Sequence, residues 1–176
     1  MGQLIVLMGA TGAGKSVQGD ILAKSLGGVH LSSGELLRRD PEAVARMSDG
    51  KLLPAEEVER VVGEAIREVP QDQPIVLDGL PRTMSNVHWL DRELPGLGRE
   101  LTHVVLVDID LETVMKRLML RGRIDDSSKA VEEKWKAYET STKEVLDHYR
   151  NTGKLETIDG RGTVEEVSGL VADVVA

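Results

Sequence analysis

The amino-acid sequence has 176 residues, with 22 basic and 30 acidic side chains and a formal net charge of −8. This length fits one domain that is large enough to bury a core. A strongly acidic chain is poorly suited to broad binding of nucleic acid or anionic membranes, so neither is expected as a partner. Cysteine is absent, which excludes disulfides and thiolate metal sites and fits a reducing cytoplasm.

The hydrophobic pattern argues against membrane insertion and secretion. No apolar run approaches the roughly 20 residues that cross a bilayer. The apolar run at 3–8 is too short for a signal peptide, and no basic segment precedes it. We therefore expect a soluble, cytoplasmic protein. Aromatic residues make up only 2% of the chain and phenylalanine is absent, so the core is expected to be aliphatic.

Short apolar runs alternate with segments of helical period along the chain. The runs that predict buried strands are 4–8, 29–31, 74–78, 103–108 and 155–159. The segments that predict helices are about 15–26, 42–47, 54–68, 84–90, 111–120, 127–149 and 164–175. This alternation predicts an α/β fold, a parallel sheet covered by helices on both faces. Such sheets bind ligands beyond the carboxyl ends of their strands.

Two stretches fit the alternation poorly. Residues 32–69 form a long helical excursion between two strands, and residues 121–128 form a polar hinge between two helices. Insertions at such points often serve as mobile covers over a site. We expect both stretches to act in this way.

A phosphate-binding loop is predicted directly after the first strand. Residues 9–16 read Gly-Ala-Thr-Gly-Ala-Gly-Lys-Ser and satisfy GxxxxGK[ST] between a strand and a helix. The glycines let successive N–H groups point inward, and the helix N-terminus adds positive potential. Lys15 would reach the β- and γ-phosphates, and the Ser16 hydroxyl would ligate Mg²⁺. The alternative, an ordinary glycine-rich turn, requires a chance match of this length at the right place.

Charged residues at the ends of other elements are weaker signals when taken singly. Asp78 ends an apolar strand and would hold Mg²⁺ through water, although many strands end in Asp for reasons of turn formation. Arg82 follows that same strand, and Arg38 lies in the first insertion. Each arginine is by itself as consistent with surface charge as with a ligand. Ser32 and Glu35 have the spacing of a capping box.

Four cations and no acid lie between positions 116 and 123 of this acidic chain. They are Lys116, Arg117, Arg121 and Arg123. Arg117 and Arg121 share a helix face, and the simplest interpretation is that they complement the helix dipole. That interpretation does not account for Arg123, which is followed by Asp125 and Asp126. Because arginine forks stabilise the oxygens of a transferring phosphoryl group, we predict that the cluster binds phosphate.

Taken together, these segments resemble the adenylate kinase family of nucleoside monophosphate kinases, nearly end to end. The segments that carry the resemblance are 9–16, 32–38, 50–54, 78–83, 117–121, 122–126 and 158–160. The P-loop alone is shared with many NTPases, whereas the ordered set is highly specific.

The resemblance implies a domain organisation. It predicts a five-stranded parallel core (1–31, 63–120 and 129–176), a monophosphate-binding insert at 32–62 and a lid at 121–128. The lid is shorter than the short form usual in the family. It has no zinc-binding cysteines, so no zinc is expected.

The resemblance also implies roles for individual residues. Those implied in ATP binding are Gly9, Gly12, Ala13, Gly14, Lys15, Ser16, Val17, Arg117, Arg121 and Gly162. Those implied in binding the monophosphate are Ser33, Arg38, Lys51, Leu52, Leu53, Gly79, Arg82, Asn86, Arg123 and Lys134. Those implied in catalysis are Lys15, Arg82, Arg121, Arg123 and Lys134, with Asp125 and Asp126 in the lid. Mg²⁺ would accompany ATP at Ser16 and Asp78.

Three departures from the family pattern affect this assignment. Ser16-Val17 stands where Gly-Thr is usual, which gives a more general Walker A sequence, and Leu80 replaces a usual Phe. Lys134 aligns with the last catalytic arginine of the family, and no arginine occurs between Asp126 and Arg150. Lysine keeps the charge but loses the planar fork, so we expect activity at a reduced level.

The identity of the acceptor base depends on two positions. Asn86 stands where adenylate kinases commonly carry Gln to read adenine, and UMP/CMP kinases of the family often have Asn there. Ser33 lies between the Thr common in AMP enzymes and the Ala common in pyrimidine enzymes. Because Ser keeps the hydroxyl and Asn keeps an amide, AMP is the predicted acceptor, with UMP or CMP as the alternative.

The predicted activity is reversible transfer of the γ-phosphate of MgATP to AMP, giving two ADP, by a monomeric enzyme. The alternative from another class is a P-loop protein that binds nucleotide without transferring phosphate. A GTPase would carry an Asn-Lys-x-Asp signature, which the sequence lacks. A degenerate binding module would be expected to lose its arginines first, and most of them are present.

Overall fold

The strands and helices follow the predicted alternation. The computed structural model describes residues 1–39, 41, 43, 53–121 and 128–176, without the side chains of 121, 128–130 and 134. The described strands are β1 (Gly2–Met8), β2 (Val29–Ser32), β3 (Ile75–Asp78), β4 (Arg99–Asp108) and β5 (Leu155–Asp159). The described helices are α1 (Lys15–Ser25), α2 (Ser33–Arg38), α3 (Ala55–Glu68), α4 (Met84–Gly96), α5 (Leu111–Arg121), α6 (Ser128–Asn151) and α7 (Val164–Val175). The helix predicted at 42–47 lies largely outside these residues.

The strands form a five-stranded parallel sheet with the order β2-β3-β1-β4-β5, as predicted. In the centre, Leu7 of β1 pairs with Asp78 of β3 on one side and with Val105 of β4 on the other. The chain leaves β1 to build β2 and β3 on one side, and it builds β4 and β5 on the other. The loop after Met8 therefore lies at a topological switch point, where sheets of this kind bind ligands.

The central strand is apolar on both faces because helices cover both. Leu4, Val6 and Met8 pack into one cluster with side chains of α3, α4 and α6. Ile5 and Leu7 pack into a second cluster with side chains of α1, α5 and α7. Burial of each such side chain contributes roughly 1.5–3 kcal/mol. A strand buried in this way reads as a continuous apolar run rather than an alternating one.

Helix α4 and strand β4 extend by several residues beyond their predicted bounds. Helix α4 continues to Gly96, and strand β4 begins at Arg99 instead of position 103. Strand β4 begins with a polar residue, Arg99, which is only 1% exposed. Its side chain holds the connection between α3 and β3 against the sheet. Its guanidinium donates to the carbonyls of Gln73 at 2.6 Å, Val69 at 2.8 Å and Pro70 at 2.8 Å.

None of the described helices combines the length and the apolar character that a membrane-spanning helix needs.

Candidate active site

The predicted phosphate loop connects β1 to α1 and is packed tightly against β4. Gly9, Gly12 and Gly14 all have positive φ, and α1 begins at Lys15, immediately after the loop. At Gly9 a Cβ atom would lie 2.5 Å from the carbonyl oxygen of Val107, so only glycine fits both the backbone angle and the space. The sequence pattern and the local structure therefore agree.

The Lys15 ammonium folds back along this loop. Its Nζ donates to the carbonyl oxygens of Gly9 at 2.8 Å and Ala10 at 2.9 Å. The positive charge is thus held inside the curve of the loop, next to the N-terminus of α1, where helix and loop both favour an anion.

The two residues predicted to hold Mg²⁺ lie side by side. The Ser16 Oγ donates to Asp78 Oδ2 at 2.9 Å, although the residues are far apart in sequence and lie on α1 and β3. Both groups are hard oxygen donors of the kind that Mg²⁺ prefers, and Mg²⁺ commonly uses only one or two protein side chains. The residues present therefore fit the ion.

Asp78 is buried and has two further partners on β2. His30 Nε2 lies 3.0 Å from Asp78 Oδ2, and the Ser32 hydroxyl donates to Asp78 Oδ1 at 3.4 Å. The register explains these contacts, because Ser32 pairs directly with Asp78 across the strands. The capping box predicted for Ser32 and Glu35 is wrong. Ser32 precedes α2 but makes no side-chain cap hydrogen bond, since its hydroxyl points to the carboxylate instead.

The contacts of Asp78 keep its carboxylate ionised. Burial acts to raise the pKa of Asp78, but the hydrogen bond to His30, the charge of Lys15 and the hydrogen bond from Ser16 lower it below its ordinary value. For His30, burial acts to lower the pKa, but its hydrogen bonds to Asp78 and to Asp20 (2.7 Å) raise it. A negative charge is therefore maintained beside the P-loop lysine.

The β3–α4 loop brings Ser33, Gly79 and Arg82 together. Gly79 has a φ of 85°, and a Cβ atom there would lie 2.2 Å from the Ser33 hydroxyl oxygen and 3.7 Å from Arg82 Nη2. The Arg82 Nε donates to the Gly79 carbonyl at 2.8 Å. Arg82 is exposed, whereas Ser33 is buried. The loop thus presents a guanidinium next to a hydroxyl.

Asn86, predicted to contact the base, is held firmly at the start of α4. Thr83 and Asn86 form a capping box, in which Asn86 Oδ1 accepts from the N–H groups of Arg82 at 3.1 Å and Thr83 at 3.3 Å. Asn86 Nδ2 donates to Glu59 Oε1 at 2.7 Å. Both Asn86 and Glu59 are buried. Sequence reasoning missed Glu59, because nothing in its neighbourhood on α3 indicates a partner on α4.

Arg117 connects the P-loop to the β5–α7 loop. Its guanidinium donates to the carbonyls of Ala13 at 3.2 Å, Gly160 at 2.8 Å and Gly162 at 3.5 Å. The structure therefore brings together three residues predicted at the ATP site, namely Arg117, Ala13 and Gly162. These contacts are to other loops, so the simple interpretation of Arg117 as a complement to its own helix dipole does not describe its position. The neighbouring Lys116 instead pairs with Glu112 on its helix, at 2.6 Å.

A cleft of about 430 Å³ joins the P-loop to the β3–α4 loop. Lys15 and Arg82 both line it, so the two cations face a common space. Helix α6 forms the other side, and the residues it contributes are Glu133, Ala137, Tyr138, Ser141 and Thr142. This wall was not predicted from the sequence, although the spacing of four between positions 133, 137 and 141 puts them on one helix face.

A wider groove of about 840 Å³ lies between α6 and the carboxyl ends of β4 and β5. Asp108, Asp159 and Arg161 are among its lining residues, but neither the P-loop nor Arg82 reaches it. Lys15 and Arg82, both predicted to bind phosphate, therefore share the smaller cleft and do not line this groove.

The remaining predicted site residues are less informative. Arg38 is exposed at the end of α2, Val17 is exposed on α1, and Leu53 is half-buried just before α3. Lys51, Leu52, Arg123, Asp125 and Asp126 lie outside the described residues. Arg121 and Lys134 lie within α5 and α6, and their side chains are also outside the description. The backbone of Lys134 is one helical turn before Tyr138, which lines the cleft.

The arrangement of loop, sheet and polar side chains defines a P-loop nucleotide-binding protein. Its P-loop lies at the switch point of a parallel sheet, and a hydroxyl and a carboxylate lie together beside it. The chain belongs to the adenylate kinase family, because the family model described as adenylate kinase matches residues 7–154.

Individual relatives agree with this assignment over nearly the whole chain. An adenylate kinase of Nocardia farcinica is 34% identical over 93% of this chain and 94% of its own length. One of Thermus thermophilus is 33% identical over 95% and 94%, and one of Prochlorococcus marinus is 31% identical over 98% of both. The predicted family, fold class and enzyme class, a phosphotransferase, are confirmed.

Proposed function

We propose that this chain transfers the γ-phosphate of MgATP reversibly to AMP, giving two ADP. The observation that carries the proposal is that Lys15 of the P-loop and Arg82 of the β3–α4 loop line one cleft. Direct transfer between two nucleotides requires their phosphates to meet in line, with positive charge around the transferred group. Membership of the adenylate kinase family favours AMP over UMP or CMP as the acceptor.

On the donor side, the P-loop N–H groups and Lys15 bind the phosphates of ATP. The Lys15 ammonium exchanges the carbonyls of Gly9 and Ala10 for β- and γ-phosphate oxygens. The Ser16 hydroxyl and the Asp78 carboxylate would hold Mg²⁺, which when bound would supply positive charge to these phosphates. Arg117 binds the phosphates of ATP and Gly162 lies by the adenine, at the two loops that the Arg117 guanidinium joins. Gly12, Gly14 and Val17 complete the donor site.

On the acceptor side, Arg82 and Arg38 bind the phosphate of the monophosphate. Ser33 and Gly79 lie beside Arg82 and contact the nucleoside, as do Asn86, Leu53 and the backbone of 51–52. This division follows the two ends of the cleft, with the donor at the P-loop and the acceptor at the β3–α4 loop.

Two segments act as covers in this proposal, the insert at 32–62 and the lid at 121–128. The cations Arg121, Arg123 and Lys134 approach the transferring phosphoryl group on closure, and Asp125 and Asp126 belong to the lid. Exclusion of water strengthens each of these charge contacts and prevents hydrolysis. A monomeric state, a cytoplasmic location and the lack of nucleic-acid and membrane partners stay predictions.

The proposal is tested by incubating the purified protein with MgATP and a panel of nucleoside monophosphates, and separating the products by chromatography. AMP is expected to give ADP fastest, with UMP and CMP slower. Nucleotide binding without transfer to any monophosphate would favour the alternative, a P-loop protein that binds without catalysis.

A further inference from the structure

Glu59 is a buried carboxylate whose position packing alone does not explain. It lies on α3 with only 8% of its surface exposed, and its Oε1 accepts from Asn86 Nδ2 at 2.7 Å. Among the described residues it makes no ion pair and no other hydrogen bond. Burying a carboxylate is costly unless it is paired, and a neutral amide compensates only part of that cost. A side chain whose only role was to join α3 to α4 would not need this charge.

The bond to Glu59 limits what Asn86 itself can offer to a ligand. Its carbonyl oxygen has two lone pairs, and both are used by the N–H groups of Arg82 and Thr83. Its amide nitrogen has two hydrogens, and Glu59 accepts one of them. Asn86 is therefore fixed in orientation and retains one N–H donor. The second carboxylate oxygen of Glu59 provides an acceptor beside it.

This donor and acceptor are joined directly to the residue that holds the acceptor phosphate. Asn86 Oδ1 accepts from the backbone N–H of Arg82 at 3.1 Å, and the Arg82 side chain lines the cleft. A monophosphate bound at Arg82 has its base one nucleoside length away. In the proposed function, on which this inference rests, that base faces Asn86.

We infer that Glu59 selects the acceptor base. Its second oxygen accepts a hydrogen bond from the exocyclic amino group of adenine, while Asn86 donates to the adjacent ring nitrogen. Hypoxanthine, guanine and uracil carry an oxygen in place of the amino group and an N–H in place of the ring acceptor. Each would bring a carbonyl against the carboxylate and leave buried groups unpaired, which a site built to bind N–H groups rejects strongly.

The test compares kcat/KM for AMP and IMP in the wild type and in Glu59→Gln. Glutamine has the same size and keeps an oxygen for Asn86, but it can donate to the IMP oxygen and has lost the negative charge. We expect the ratio of kcat/KM for AMP to kcat/KM for IMP to fall at least about tenfold in Glu59→Gln. Glu64→Gln is the matched control, because it makes the same change on an exposed part of α3, and its ratio should equal that of the wild type.

A second measurement needs no variant. It compares kcat/KM of the wild-type enzyme for AMP and for purine riboside monophosphate, which lacks the amino group. A loss of at least about tenfold in kcat/KM relative to AMP is expected. The inference is overturned if the wild type uses AMP but Glu59→Gln lowers kcat/KM for AMP and for IMP by the same factor, or lowers only the melting temperature. Glu59 would then be a structural link between α3 and α4. If the wild type transfers no phosphate to AMP, or uses IMP or GMP faster than AMP, the proposed function itself is wrong. The inference about Glu59, which depends on it, is then also wrong.

Discussion

Ser16 and Asp78 are joined by a hydrogen bond of 2.9 Å that links the first turn of α1 to the end of β3. Asp78 accepts further contacts from His30 and Ser32 on the neighbouring strand. The carboxylate is thereby held in one orientation, with its pKa lowered, beside the P-loop lysine. In the proposed function, this carboxylate holds the Mg²⁺ that accompanies ATP.

Replacement of Asp78 should weaken the use of Mg²⁺. Asp78→Asn keeps the size of the side chain and one oxygen acceptor but removes the charge, so a higher Mg²⁺ concentration should be needed for half-maximal rate. We expect kcat/KM at fixed Mg²⁺ to fall at least about tenfold. Asp173→Asn, an exposed change on α7, is the control. An unchanged Mg²⁺ titration in folded Asp78→Asn would exclude this role.

Lys15 and Arg82 should each be needed for transfer. Lys15→Ala and Arg82→Ala remove cations from the two ends of the cleft, and each should lower kcat/KM at least about tenfold, or about 1.4 kcal/mol. Arg92→Ala, which removes an exposed guanidinium on α4, should leave the kinetics intact. Near-normal kinetics in folded Arg82→Ala would mean that the acceptor site has been misplaced.

The proposed covers should become protected when both nucleotide sites are filled. Peptides from 32–62 and 121–128 are expected to exchange amide hydrogens more slowly with a bisubstrate analogue, because closure excludes water. Peptides from β1 should not change. Identical exchange in both covers, with and without the analogue, would contradict closure.

Lys134 should act mainly in the transition state if it substitutes for the arginine of the family. Lys134→Ala should then lower kcat while leaving nucleotide binding comparatively intact, since its charge meets the phosphoryl group during transfer. Lys134→Arg should keep or increase kcat, because it restores a bidentate fork. The neighbouring Lys136→Ala is the control. If kcat of Lys134→Ala equals that of the wild type, this position is an ordinary helix lysine.

Tyr149 should tolerate loss of its hydroxyl. The side chain is only 1% exposed, and among the described residues its Oη is the buried side-chain polar atom without a hydrogen-bond partner. Burial also raises the pKa of Tyr149. Tyr149→Phe should leave the free energy of unfolding in urea unchanged or increase it by up to about 1 kcal/mol. A loss of more than about 1 kcal/mol would show that the hydroxyl makes a contact that matters.

The parts of the site that are contiguous in sequence could be predicted. Residues 9–16 carry the P-loop in eight consecutive positions, and β1 and β3 are continuous apolar runs because both faces of the sheet are covered. Arg82 comes four residues after the end of β3. In each case the signal lies within a few residues, where composition and spacing are sufficient.

The partners of these residues could not be predicted, because they depend on which strands and helices become neighbours. His30 reaches Asp78 only because β2 pairs with β3 in one register. Ser32 had the spacing of a helix cap, but the carboxylate across the sheet offered a better acceptor for its hydroxyl. Glu59 lies on an amphipathic helix like several other acids, and only the packing of α3 on α4 separates it from them.

The central claim, direct phosphoryl transfer between two nucleotides, is tested most directly by following the γ-phosphate itself. The purified protein is incubated with Mg²⁺, AMP and ATP labelled at the γ-phosphate, with Lys15→Ala as control. The label should appear at the β-position of ADP, and two ADP should form for each AMP consumed. No label should be found on the protein. Release of the label as inorganic phosphate would contradict the account. So would retention of all the label on ATP, both with AMP and when AMP is replaced by each other nucleoside monophosphate.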